Sequence, residues 1–171
     1  ARRIGGFEPG EYLCPVEANW YDLRNTAISE EEFTKALKAI PARKLIVFFD
    51  ACHSGGIGKP RKAGFQIKAG LSEATYDRLA QGKGRVIIAS CGEDEVSWEL
   101  QGMRNGLFTH YLLEALKGAA AIRDDGFVHI YDIAHYVQEK VPQRCPDQHP
   151  IFKTAVDSNF AIALAPRRLL K

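Results

Sequence analysis

Residues 44–56 have the sequence KLIVFFDACHSGG, in which a continuous apolar run leads directly into a short polar and glycine-rich segment. β-Branched and aromatic residues in such a run are typical of a strand covered on both faces, as in a parallel sheet. In open α/β sheets ligands bind at the carboxyl ends of the strands, where Asp50 and Cys52 stand here. A cysteine after a strand is also common as a small buried hydrophobe, so the residues alone leave both interpretations open.

The rest of the chain alternates helical and extended patterns. Ser29 and Glu32 form the pattern of a capping box, and apolar residues follow at helical spacing until Pro41 ends the run. Further helices are predicted for residues 71–79, 105–118 and 130–141, the last stopped by Pro142, and further strands for residues 85–90, 127–128 and 160–164. The alternation predicts an α/β fold that has a mainly parallel sheet and helices on both faces.

The composition excludes several classes of protein. The 171 residues fit one domain, and 46% of them are hydrophobic, which is enough for a core. The 23 Lys and Arg residues nearly balance the 21 Asp and Glu residues, whereas nucleic-acid binders usually carry a strong basic excess. No apolar run approaches the roughly 20 residues of a membrane-spanning helix. We therefore expect neither a nucleic-acid nor a membrane partner.

The cysteine pattern bears on the compartment of the protein. The four cysteines are Cys14, Cys52, Cys91 and Cys145. They form no CxxC pair and no close Cys/His cluster of zinc-site spacing, and they are too few for a disulfide scaffold in a chain of this length. The pattern indicates a reducing compartment, so we expect a cytoplasmic protein.

Four segments of the chain occur in the same order as in a known peptidase family. They are residues 11–15 (EYLCP), 50–55 (DACHSG), 88–97 (IASCGEDEVS) and 106–113 (GLFTHYLL). The second resembles the nucleophile motif of metacaspases and related bacterial caspase-like peptidases of family C14. The others resemble the segment before the cysteine-bearing strand, the next strand with its acidic loop, and the helix that follows. The resemblance covers most of residues 11–164.

The resemblance implies a caspase-like three-layer αβα sandwich for residues 1–165, with residues 166–171 as a linker or truncated end. Family members carry the catalytic histidine in a Ser-Gly-His-Gly-like segment before the cysteine-bearing strand, but residues 1–49 contain no histidine. We therefore expect this motif and the first strands upstream of Ala1, in a longer protein that has flanking domains. The strand at 45–49 would lose a neighbour in the isolated chain, which we expect to fold poorly.

The activity that the resemblance implies is peptide-bond hydrolysis through a thioester. Cys52 would attack the scissile carbonyl as a thiolate, and backbone N–H groups, including that of Cys52, would stabilise the oxyanion. The histidine would hold the thiol proton and deliver it to the leaving amine. No metal or organic cofactor is needed. Many metacaspases require calcium and use an acid seven residues after the nucleophile, where this chain has Lys59. We expect no metal, although Asp124 and Asp125 offer a weak cation site.

Two acids near Cys52 bear on specificity. In metacaspases the acid at the position of Asp50 lines the pocket for the substrate residue before the scissile bond, and a buried carboxylate there prefers Arg or Lys. The alternative is that Asp50 caps the turn after the strand. Asp94 aligns with an acid of the family's second loop and is the next candidate pocket wall. Glu93 and Glu95 are hard to separate from it, and a run of acids is also typical of a solvated loop.

A basic, glycine-containing loop spans residues 59–68 and includes Arg61, Lys62 and Lys68. An enzyme that cuts after Arg or Lys could process itself there and separate the cysteine-bearing part from the rest. The alternative is an ordinary solvated surface loop, and the residues leave both open.

Two other functions compete with the peptidase. A non-catalytic caspase-like module would bind partner proteins in signalling, but the retained Cys52 and Asp50 favour the enzyme. Another thiol hydrolase on an α/β sheet would need a histidine after the cysteine-bearing strand, and the predicted helical placement of His110 and His135 argues against it. His53 adjoins Cys52 and is a poor base, because neighbouring side chains point in different directions.

Overall fold

The computed structural model describes residues 11–19, 21–50, 71–92, 95, 97–98 and 104–165. These residues belong to two compact units, one containing the described residues up to Arg43 and the other those from Lys44 onward. The domain bounds 1–165 and 166–171 stay a prediction. No helix in the described part of the chain is long and apolar enough to cross a membrane.

The first unit contains a short pair of strands and two helices. Its elements are β1 (Tyr12–Leu13), α1 (Leu23–Thr26), β2 (Ile28–Ser29) and α2 (Glu30–Ala39). The strands β1 and β2 pair in the antiparallel sense. At the start of α2 the hydroxyl of Ser29 accepts a bond from Glu32 N, and the carboxylate of Glu32 accepts one from Ser29 N, which confirms the predicted capping box.

The second unit holds the larger sheet and most of the helices. In chain order it contains β3 (Leu45–Phe49), α3 (Glu73–Leu79), β4 (Arg85–Ala89), α4 (Leu107–Glu114), a π-helical turn (Ala115–Ala119), β5 (Phe127–His129), α5 (Ile130–Arg144), β6 (Ile151–Ala155) and β7 (Ala161–Leu164). The predicted strands and helices of this region are therefore present. Within the π-helical turn, Gly118 has a φ of 109°, which lies in the left-handed region that glycine tolerates best.

The described sheet around β4 is mixed. Its strand order is β3-β4-β6, with β3 parallel to β4 and β6 antiparallel to β4. The strand β6 was not predicted from the sequence. The strands β5 and β7 form a separate antiparallel pair. Within the described residues of the second unit, one parallel pair and two antiparallel pairs agree with an α/β fold, whereas the mainly parallel three-layer sandwich stays a prediction.

The core of the second unit lies where α4 and α5 pack with β4 and β5. Its fully buried apolar side chains include Val86, Ile88, Leu107, Phe108, Val128, Ile130, Ile133, Val137 and Val141. Burial of a large apolar side chain stabilises a fold by about 1.5–3 kcal/mol. These contacts fix the position of α4 against the sheet, and therefore the position of the residues at the start of α4.

The prediction that Pro142 stops the last helix was wrong. Pro142 lies inside α5, which continues to Arg144, and Cys145 N donates to the carbonyl of Val141. A proline removes one backbone donor and crowds the preceding turn. Here the fully buried Val137 and Val141 anchor that turn to the core, so tertiary packing outweighs the local preference.

Candidate active site at the ends of the parallel strands

The parallel pairing of β3 and β4 brings the residues that follow both strands to one edge of the sheet. Ser90 N donates to the carbonyl of Phe49 at 2.8 Å, so the pairing extends one residue beyond β4. Asp50 lies at this edge directly after β3, and the predicted nucleophile Cys52 comes two residues later, outside the described residues. The other predicted site residues outside the described part are Asp94, Arg61, Lys62 and Lys68.

The half-buried carboxylate of Asp50 is held from two distant segments of the chain. The hydroxyl of Ser97, in the loop after β4, donates to Asp50 Oδ1 at 3.1 Å. The hydroxyl of Thr109, in the first turn of α4, donates to Asp50 Oδ2. Asp50 thus ties the end of β3 to the loop after β4 and to α4, which fixes the direction of its carboxylate.

Gln148 also binds the loop after β4 through its side-chain amide. It exposes 0% of its surface and lies just before β6. Its Oε1 accepts from Trp98 N at 3.1 Å, while its Nε2 donates to the carbonyl of Ser90 at 3.0 Å and to Ser97 Oγ at 3.3 Å. Gln148 is not among the residues predicted from the sequence, because a glutamine in a loop carries no local signal of burial.

Glu95 makes structural contacts that the sequence could not predict, because it did not distinguish Glu95 from the acidic residues before it. Its carboxylate accepts bonds from His149 N at 2.7 Å and from Gly92 N at 3.2 Å, and Oε1 lies 2.6 Å from His149 Nδ1. Burial alone raises the pKa of a carboxyl group, but here these bonds outweigh it and lower the pKa of Glu95. Glu95 and His149, for which the sequence suggested no role, therefore clip the loop after β4 to the segment before β6.

The described cysteine nearest this edge is unsuited to be a nucleophile. Cys91 is fully buried directly after Ser90, and burial raises the pKa of its thiol to about 11. Because the reactive form of cysteine is the thiolate, Cys91 stays protonated and inert near neutral pH. Cys91 is therefore a small buried hydrophobic residue in this structure, and the assignment of Cys52 as the nucleophile stays a prediction.

The described histidines outside this edge pair with nearby carboxylates. The ring nitrogen to carboxylate oxygen distances are 3.5 Å for His110–Glu114, 3.3 Å for His129–Asp125 and 3.8 Å for His135–Glu139. His110 and His135 lie on helices, as predicted, and His135 exposes 79% of its side chain. His53 lies outside the described residues. The catalytic histidine upstream of Ala1 stays a prediction.

The described residues bear on metal binding in two ways. Among them, no three His, Cys, Asp or Glu side chains are grouped so that they could hold a metal ion. The carboxylate of Asp125, one of the two acids considered for a weak cation site, accepts a bond from Phe127 N and lies near His129. Its visible contacts are those of a turn residue.

Comparison with known proteins identifies the family. A model of the caspase domain, peptidase family C14, matches residues 5–161 of the chain. The chain therefore belongs to the caspase-domain family of cysteine peptidases, as the DACHSG motif and the segments around it predicted. A search of curated proteins gave no match. Family membership supports a cysteine-type peptidase with an α/β caspase-like fold, and such a domain acts on peptides or proteins.

Proposed function

We propose that the protein is a metacaspase-type cysteine endopeptidase that cleaves after Arg or Lys. The observation that carries this proposal is the position of Asp50, whose carboxylate is fixed at the carboxyl end of β3 by the hydroxyls of Ser97 and Thr109. Cys52 stands two residues later in the chain. A fixed acid this close in sequence to the nucleophile suits recognition of the substrate side chain before the scissile bond.

The proposed reaction runs through a thioester on Cys52. The Cys52 thiolate attacks the carbonyl carbon of the scissile bond, and backbone N–H groups, including that of Cys52, stabilise the oxyanion. A histidine upstream of Ala1 takes the thiol proton and gives it to the leaving amine. Water then hydrolyses the thioester and frees the Cys52 thiol. The reaction requires no metal and no organic cofactor.

Charge complementarity is the reason for the proposed specificity. Asp50 offers two carboxylate oxygens, which match the paired N–H groups of an arginine guanidinium or the ammonium of lysine. The hydroxyls of Ser97 and Thr109 orient the carboxylate and contribute no charge. Asp94 is proposed as a second acidic wall of the pocket. A substrate that ends in Asp would face repulsion from these acids.

Cleavage after Arg or Lys would also allow the enzyme to process itself. The loop that contains Arg61, Lys62 and Lys68 offers basic cleavage sites, and we propose that the enzyme cuts itself there. We propose further that it acts in the cytoplasm, where its thiols stay reduced, and that flanking domains accompany the peptidase domain in a longer protein.

Cleavage of fluorogenic peptides tests this proposal. The natural chain, including any residues upstream of Ala1, is assayed on peptides that differ only in Arg, Lys or Asp before the reporter, with and without calcium. We expect cleavage after Arg and Lys, no need for calcium, and loss of activity in Cys52→Ala. Cleavage after Asp would keep the peptidase and overturn the specificity. Absence of any cleavage would overturn the proposed activity.

A further inference from the structure

Asp50 belongs to a hydrogen-bond network that ends at a buried amide. We call Asp50, Ser97 and Gln148 the Asp50 network. Ser97, which exposes 4% of its surface, stands between the other two members: its Oγ is 3.1 Å from Asp50 Oδ1 and 3.3 Å from Gln148 Nε2. The network joins the end of β3, the loop after β4 and the segment before β6.

The backbone determines the direction of these bonds. The carbonyl of Ser90 can only accept and the N–H of Trp98 can only donate, so the bonds at 3.0 and 3.1 Å fix which end of the Gln148 amide is the NH₂. That NH₂ therefore donates to Ser97 Oγ. Because the Ser97 oxygen accepts from Gln148, its single hydroxyl hydrogen is directed to Asp50.

We propose that Gln148 is a positioning residue for substrate specificity, which acts through Ser97 to orient the Asp50 carboxylate toward a basic substrate side chain. The inference rests on the proposed function. Gln148 is buried behind Ser97 and acts without touching the substrate. It holds the Ser97 hydroxyl in the one orientation that favours an ordered, anionic Asp50, and it fixes the loop after β4 by its bonds to Ser90 and Trp98.

Steady-state kinetics of three variants of the natural chain test the proposal. Ser97→Ala removes the connecting hydroxyl but keeps the bonds of Gln148 to Ser90 and Trp98. Gln148→Leu removes the amide, and the double variant combines both changes. For an arginine peptide we expect Ser97→Ala to raise KM about tenfold, with kcat within about twofold, because a misdirected carboxylate weakens substrate binding.

The double variant shows whether Gln148 affects KM through Ser97 or independently of it. If Gln148 acts through Ser97, adding Gln148→Leu to Ser97→Ala changes KM much less than Gln148→Leu does alone. A merely structural role would lower the melting temperature and the active fraction, hence kcat, and leave KM unchanged. Gln138→Leu is the matched control, since the Gln138 amide donates to the carbonyl of Pro150 at 3.2 Å and holds the same segment. We expect it to leave KM unchanged.

A stability cycle makes the inference independent of turnover, in case Gln148→Leu folds poorly or the enzyme is inactive. Urea unfolding of Asp50→Asn and Ser97→Ala, singly and together, measures their coupling, which we expect to be non-zero. The inference would be overturned, and the proposed function kept, if Ser97→Ala cleaved the arginine peptide with an unchanged KM. Full additivity of the two substitutions in the cycle would have the same meaning. A third outcome is non-zero coupling in the stability cycle together with a wild-type protein that cleaves no peptide. That outcome would overturn the proposed function, and with it the role of Gln148 in specificity, but it would support the hydrogen-bond network.

Discussion

Gln148 and His149 are neighbours in the chain, and they hold the loop after β4 through different chemistry. Gln148 is fully buried and neutral, and its bonds reach Ser90, Ser97 and Trp98. His149 is exposed and contacts the charged Glu95. Because the second contact depends on an ionisable acid, we expect low pH to weaken it while the bonds of Gln148 persist.

Glu95→Gln measures the contribution of this ionised contact. The folded-state pKa of Glu95 is lowered, so its contribution to stability is present above the pKa of an unfolded glutamate and is lost as pH falls through the folded value. We expect the variant to lose about 1–2 kcal/mol of unfolding free energy at pH 7, because hydrogen bonds to a charged group contribute about 1.5–3 kcal/mol and solvent screening at this partly exposed contact reduces that. Urea unfolding from pH 7 to pH 3 should show the difference from wild type shrinking toward zero. A difference that stays constant with pH would contradict this assignment.

Among single residues, the sequence predicts those whose chemistry belongs to a recognisable local motif. Asp50 and Cys52 follow a strand in a recognisable segment, so the sequence alone is enough to mark them as candidates for the site. The sequence could not link Asp50 to Ser97, Thr109 or Gln148, because these residues are 47 or more positions away along the chain. Tertiary packing brings Ser97 and Thr109 to Asp50, and it brings Gln148 to Ser97.

Elements with strong local signals were predicted well. The capping box at Ser29 starts α2, and the apolar runs at β3 and β4 form adjacent parallel strands. The apolar spacing of α5 also matches its buried face, which includes Ile130, Ile133, Val137 and Val141. In each case one local pattern and the tertiary environment favour the same structure.

Two elements show where local patterns are insufficient. The strand β6 has the sequence IFKTA, too short and too mixed for a clear periodicity, and it becomes a strand because β4 offers an edge for antiparallel pairing. Pro142 is a helix breaker by residue type, but the buried turn around it keeps α5 continuous. Long-range pairing and packing decided both, and neither is visible in a window of a few residues.

For the molecule as a whole, the stability of the described sheet depends on β3, which forms one of its edges in the part of the chain that the structure describes. Within the described residues β3 pairs only with β4, and Phe48 exposes 38% of its surface. A strand at the edge of a sheet that carries an exposed apolar side chain invites association with other chains. We expect the isolated 171-residue chain to be marginally stable, with a broad melting transition by circular dichroism. A cooperative melt at high temperature would contradict this expectation.

We propose above that the Asp50 carboxylate recognises the charge of the substrate residue before the scissile bond. The direct measurement is kcat/KM for two peptides that differ only in arginine or citrulline, whose urea group keeps the shape of arginine without its charge. For the natural chain we expect a preference for arginine of at least about 30-fold, equivalent to roughly 2 kcal/mol. Asp50→Asn should reduce the preference to within a few-fold, while Cys52→Ala abolishes cleavage of both peptides. An arginine preference that is unchanged in Asp50→Asn would contradict recognition of the substrate charge by Asp50.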